Sequence, residues 1–223
     1  YEHLDLCASV DRVPNAKGVS NPRYHQRTAT KRAKHRSNIF NGAKYFLSKK
    51  DYKRAFSFLD IYYKFRTHDK DENIDKTVLW ATQCCYLTKN HEGTLSYVDK
   101  AIPLSDSTVR PVLQEYKVET YKSMGIDTLW LIALQEGAQA YPWHYYFFVH
   151  LADYYGLIKN VSAGYSLCDY QLSFYPDDAM FWFAKSKFAH IEKDYKKCIA
   201  YADSALLHDS LYTDAHYIRA VSY

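Results

Sequence analysis

The string KDYKRAFSFLD at Lys50–Asp60 returns as KDYKKCIAYAD at Lys193–Asp203, 143 residues further on. A chain that repeats itself at this range is assembled from copies of one supersecondary unit, and the period of the copies bounds the fold more tightly than any local motif. The C-terminal half supplies the phase. Pro142 and Pro176, in AYP and FYP, lie 34 residues apart, and the next step of 34 falls on Ser210. The same step joins Val118, Ala152, Ser186 and Ala220, and also Tyr121, Tyr155, Ala189 and Tyr223. Toward the N-terminus the steps lengthen to 36 (Val118 to Thr82) and 39 (Thr82 to Ala43), insertions that loops absorb at small entropic cost. The four steps together span 143, so the two strings hold the same place in a first and a fifth unit.

The units are helical. With 48% hydrophobic and 24% charged residues the chain can bury a core without disulfide staples. Only 7 Gly and 6 Pro in 223 residues are too few for an all-β protein that turns every 8 to 12 residues or so. In each repeated string the Asp caps an incoming helix, the Tyr packs the hairpin turn, and the Lys and Arg face solvent and are free to vary.

This register resembles the tetratricopeptide repeat, a helix-turn-helix unit with the signature W-x2-L-G-x2-Y, then A-x3-F, then P. In the fifth unit Trp182 takes the Trp position, Ser186 and Cys198 take small positions of the two helices, and Ala205 the later small slot. Small residues let antiparallel helices approach closely. The resemblance implies an all-α, right-handed superhelical solenoid of five full repeats, 36–69, 75–107, 111–144, 145–178 and 179–212, followed by a sixth first helix in TDAHYIRAVSY. Residues 1–35 form an irregular basic lead-in that is helical from about Arg23, and 36–223 the repeat domain. Trp130, Gln171 and Tyr62 stand where small residues are expected, which leaves the packing of the third unit's helices open. An uncapped first helix at the end predicts a fragment of a longer protein, or a last helix shielded by a partner.

No catalytic machinery is legible. There is no HExxH, glycine-rich phosphate loop, G-x-S-x-G or dinucleotide fingerprint, and His144 and His150 have the wrong spacing for two ligands on one helix face. Neither enzyme activity nor any cofactor or metal is therefore expected. The five cysteines (Cys7, Cys84, Cys85, Cys168, Cys198) lack CxxC spacing and read as buried free thiols. Cys84 and Cys85 are adjacent, as redox-active vicinal thiols are, but Cys85 falls in the packing slot shared with Tyr121 and Tyr155. Asn160 opens an NVS triplet, a glycosylation acceptor pattern common by chance. No apolar run reaches the roughly 18 residues that cross a bilayer. The compartment stays open, with the cell envelope or periplasm favoured over the cytoplasm.

The resemblance further implies a concave face lined by first helices that binds peptides or extended protein segments. The second, fifth, ninth and twelfth positions of those helices give Phe40, Lys44, Leu79, Gln83, Tyr86, Glu115, Glu119, Tyr146, Val149, Asp153, Phe183, Lys187, His190 and Tyr217. Such a groove is aromatic with an acidic middle; aromatics act as anchors, and Glu115, Glu119 and Asp153 favour a basic residue on the ligand. The Lys and Asn clamp by which one subclass grips a C-terminal carboxylate is absent here, because the first two units offer Phe40, Lys44, Leu79 and Gln83. The expected function is a non-catalytic protein-protein interaction module binding an extended or helical peptide segment, with a homodimer through the C-terminal helix as a second mode of association. Two alternatives come from other classes. One is a glycan-binding protein of the cell envelope, which the Tyr-rich composition permits. The other is binding of nucleic acid or an anionic membrane: between Arg12 and Lys50 there are 11 basic residues and no acidic one, leaving 18 basic against 25 acidic elsewhere. At helical spacing Arg23, Arg27, Lys31 and Lys34 share one face and can contact phosphates, but a solvated charged face or docking against the acidic body is the preferred reading of that stretch.

Overall fold

The computed structural model describes residues 13–14, 17–18, 25–64 and 74–223. Cys7 and Arg23 lie outside the described residues. The described elements are helical, with no strand among them: α1 (His25–Ser48), α2 (Tyr52–Lys64), α3 (Ile74–Leu87), α4 (His91–Ala101), a 3-10 turn (Ile102–Leu104), α5 (Arg110–Ser123), α6 (Asp127–Ala140), α7 (Tyr145–Leu157), α8 (Val161–Phe174), α9 (Ala179–Ile191), α10 (Tyr195–His208) and α11 (Thr213–Ala220). The expected unit starts at 75, 111, 145 and 179 coincide to within one residue with helix starts. In the first unit the helix begins well upstream of residue 36, because nothing between His25 and Arg36 breaks it.

Each hairpin turn is written in the same backbone code. Lys50, Lys89, Lys159 and Lys193 take φ of 56°, 57°, 55° and 65°, and Gly125 takes 69° at the corresponding place between α5 and α6. At Lys193 the amide donates to the His190 carbonyl at 3.0 Å and the next amide, of Asp194, reaches back to the Ala189 carbonyl at 3.0 Å. That pair of bonds satisfies the orphan carbonyls of a helix end and forces the left-handed residue between them. The next residue then opens the second helix. The Oδ1 atoms of Asp51, Asn90, Asn160 and Asp194 accept the amides of Arg54, Gly93, Ala163 and Lys197 at 3.0–3.2 Å. The Asn of the NVS triplet is thus a helix cap. Between hairpins, Asp178 caps α9 through the Met180 amide, and Trp182 Nε1 donates to the Pro176 carbonyl at 2.8 Å, fastening the α8–α9 corner.

The chain divides into two compact units, Tyr1–Thr120 and Tyr121–Tyr223, the division falling inside α5. In the first, Ala43, Ala55, Leu59, Val78, Ala81 and Cys84 form a fully buried core where α1 to α4 meet. Tyr97 closes it from α4, its hydroxyl donating to Asp60 Oδ1 at 2.7 Å. In the second, Phe148, Cys168, Phe181 and Phe188 pack between α7, α8 and α9, and Ala189, Cys198, Ala202 and Ile218 tie α10 and α11 to α9. Ala55 and Cys198, and likewise Leu59 and Ala202, hold equivalent places in the two repeated strings, and all four are fully buried.

The small-residue register needs one correction. Ala43, Thr82, Val118 and Ser186 are buried, whereas Ala152 is only partly so and Ala220 is exposed. In α7 the buried places go to Phe147, Phe148 and Leu151, so Ala152 is turned toward the open side. The oversized residues are accommodated differently from one another. Tyr62 and Gln171 are buried, and Trp130 lies half-buried and edge-on to Tyr154 at 5.5 Å between ring centroids.

Candidate functional site

Some of the expected site residues come together in two groups, one in each unit, and the others are dispersed. In the second unit, Asp153 on α7 and Lys187 on α9 are one repeat step apart, so successive first helices present them side by side. Asp153 Oδ1 and Lys187 Nζ are 3.4 Å apart and both side chains are largely exposed, at 62% and 47%. Such a pair contributes little to stability. Beside it opens a cavity of about 310 Å³ whose walls are Ala152, Gly156, Ala184, Phe188 and Ile191. The small Ala152, Gly156 and Ala184 create the space, and the polar pair sits at an otherwise apolar hollow.

The remaining residues of this unit surround other surfaces. Val149 is 40% exposed, one turn before Asp153. Tyr146 is half-buried and edge-on to the His150 ring at 4.4 Å. Phe183 packs edge-to-face on Tyr212 at 5.2 Å, and His190 Nδ1 lies 3.2 Å from Ser222 Oγ, so both serve packing as well as the surface. Tyr217 is 70% exposed on α11.

In the first unit the rings of Tyr86 and Tyr116 stack at 4.3 Å with 22° between planes. Burial pushes the Tyr86 hydroxyl above its ordinary range, and the carboxylates of Glu119 and Glu115 push it further. Burial likewise raises Tyr116, followed by the neighbouring Tyr86 and Glu115, while a hydrogen bond from Gln83 acts in the opposite direction. Two stacked rings thus lie beside two carboxylates. Gln83, Tyr86, Glu115 and Glu119 are therefore brought together, with Tyr116 as a member that the groove register did not include. Its signal was the stacking distance, which no spacing rule supplies.

Phe40 is corrected. It is 5% exposed, stacked on Trp80 at 5.6 Å and tilted against Tyr62 at 5.1 Å, so it belongs to the core. The Tyr62 ring, standing at a small slot of α2, offers Phe40 an aromatic surface to pack on. Leu79 is half-buried against the same core, and Lys44 is exposed with its ammonium 4.9 Å from the Phe40 ring centroid. Of the basic lead-in, Lys31 and Lys34 are exposed on α1, while the side chain of Arg27 lies outside the described residues.

Cys84, Cys85, Cys168 and Cys198 are buried free thiols. Burial raises Cys84, Cys85 and Cys168 from about 9 to about 12, with Cys84 adding to the effect on Cys85 and the Lys185 charge opposing it at Cys168. Thiols held protonated are weak nucleophiles and weak metal ligands, which favours packing as the role of the vicinal pair. Among the described residues no group of three or more His, Cys, Asp or Glu side chains is placed to hold a metal ion, and no helix is long and apolar enough to cross a membrane.

No protein-family model and no curated protein matches the chain significantly. Solved structures do. YrrB, described as a TPR protein with an unusual peptide-binding site, is 13% identical with a TM-score of 0.52, over 82% of this chain and 90% of YrrB. A TPR repeats protein from Bacteroides fragilis NCTC 9343 is 14% identical with a TM-score of 0.55, over 84% of this chain and 97% of its own. A tetratricopeptide repeat protein from Parabacteroides merdae ATCC 43184 is 12% identical at 0.55, over 84% and 72%. The chain therefore has the tetratricopeptide-repeat fold.

Proposed function

We propose that the chain is a non-catalytic interaction module that holds an extended or helical segment of a partner protein against its first helices. The observation that carries this reading is the Asp153–Lys187 pair at the edge of an apolar hollow, formed by equivalent positions of successive first helices. The peptide-binding site named for YrrB, a protein of the same fold, supports the class of ligand. The Tyr86–Tyr116 stack beside Glu115 and Glu119 supports a basic side chain on the bound segment.

The test is selection of binders from a random peptide library, followed by affinity measurements on wild-type protein, Glu115→Gln/Glu119→Gln and Asp153→Lys. The expected result is enrichment of Lys or Arg, with roughly tenfold weaker binding when the two glutamates are neutralised and a salt dependence that falls with them. Selected peptides without basic enrichment, or binding indifferent to all three substitutions, overturn the reading.

A further inference from the structure

The second unit carries another depression, of about 540 Å³, that shares no lining residue with the Asp153–Lys187 cavity. Gln135 and Gln139, one turn apart on α6, line one side, and Ser166 and Tyr170, one turn apart on α8, line the other. Tyr155 of α7 lies between, its hydroxyl accepting a hydrogen bond from Gln135 Nε2 at 3.1 Å. The space exists because Ala138 and Ala163 are small, and its floor is apolar through the buried Leu151. Tyr170 is 39% exposed, and Phe174 meets its ring edge-to-face at 5.1 Å, holding its orientation.

None of the lining residues is charged, and that decides the class of ligand. A charged ligand would lose its hydration without meeting a counter-charge. A purely apolar one would strip water from two glutamine amides and return no hydrogen bond. The lining suits a neutral molecule with an apolar face for a tyrosine ring and closely spaced hydroxyls for amides, each of which both donates and accepts. A pyranose ring has both, and the volume lies within the ordinary range of ligand pockets, about 300–1,000 Å³. We infer that the α6–α7–α8 depression binds a neutral oligosaccharide. This site is independent of the peptide-binding reading and lies on other residues.

The test is calorimetric titration of the full chain with neutral cello-, malto-, xylo- and N-acetylchito-oligosaccharides, alongside an acidic oligogalacturonate and an uncharged proline-rich peptide. At least one neutral sugar binds in the millimolar range or tighter, Tyr170→Ala and Gln139→Ala each weaken it roughly tenfold, and Asp153→Ala leaves it unchanged. Both groove substitutions fall on exposed side chains, and circular dichroism confirms that each variant is folded. The proposal is overturned if no neutral sugar binds, if binding ignores both groove substitutions, or if those substitutions affect only the peptide or the acidic sugar.

Discussion

Lys193 holds a left-handed backbone, φ 65°, directly before Asp194, whose carboxylate accepts the Lys197 amide at 3.1 Å. The same relationship recurs at Lys50 and Asp51, Lys89 and Asn90, and Lys159 and Asn160. A residue with a Cβ is disfavoured in this region by about 1–2 kcal/mol, and glycine is the usual occupant. The lysine at each turn therefore carries strain that the two flanking helices impose.

Lys193→Gly and Lys159→Gly are expected to stabilise the protein by about 0.5–1 kcal/mol each, because relief of the strained backbone exceeds the entropy glycine adds to the unfolded chain. Urea unfolding measures the change. Destabilisation by the same substitutions means that the lysine side chains make contacts worth more than the strain. Replacing Gly125, already left-handed at the equivalent turn, by Ala works in the opposite direction and lowers stability.

Gly164 and Phe188 set the approach of α8 to α9. A Cβ on Gly164 would stand 2.3 Å from two atoms of the Phe188 ring, which is only 2% exposed, so the ring must shift or the two helices move apart. Gly164→Ala is expected to cost about 1–3 kcal/mol despite the better helix propensity of alanine. Adding Phe188→Leu recovers part of that loss, and a double-mutant cycle measured by thermal unfolding shows a coupling of about 1 kcal/mol or more. Additive losses would place the strain somewhere other than this contact.

The pH dependence follows from the thiols. Cys84, Cys85 and Cys168 are protonated in the fold up to about pH 12 and ionise near 9 once exposed. Their folded values are raised, so their contribution is complete below pH 9 and is lost as the pH climbs toward 12. Tyr145, raised to about 12 chiefly by its hydrogen bond to Asp178, adds a loss that begins near 10. The midpoint of thermal unfolding is expected to fall steadily from about pH 9 upward, less steeply in Cys168→Ala. A midpoint flat to about pH 11 would show these thiols to be open.

The period was legible because it is written in residues that packing and capping leave little freedom: Ala55 and Cys198 must be small to lie in the core, and Asp51 and Asp194 must accept an amide. The left-handed lysines were not legible, since propensity rules reserve that place for Gly or Asn and a lysine there reads as ordinary surface. Nor was Phe40, whose groove position is an average over the repeat and is overridden by its neighbour Tyr62. The pairing of Asp153 with Lys187 required only the 34-residue step, whereas the Tyr86–Tyr116 stack and the α6–α7–α8 depression depend on where side chains end in space. Ala152 shows the same limit. Its register implies a close helix contact, but the residue lines the open cavity, so in Ala152→Arg the arginine head can reach water and the cost is expected to stay below about 1 kcal/mol.

Gln171 occupies a slot of α8 where the repeat pattern has alanine, and it is 1% exposed. Its Oε1 is buried without a hydrogen-bond partner. Stripping an amide oxygen of water with nothing in return costs about 1–3 kcal/mol, so this side chain fills volume at an energetic disadvantage. Methionine matches the length and flexibility of glutamine without the polar atoms, and Gln171→Met is expected to raise stability by about 1 kcal/mol. Gln171→Ala removes the same polar atoms but leaves a cavity, and is expected to be neutral or destabilising. Urea unfolding of the two variants separates the effects: a gain for methionine and none for alanine assigns the cost to the amide. A loss with both substitutions would mean that the glutamine is bonded in solution.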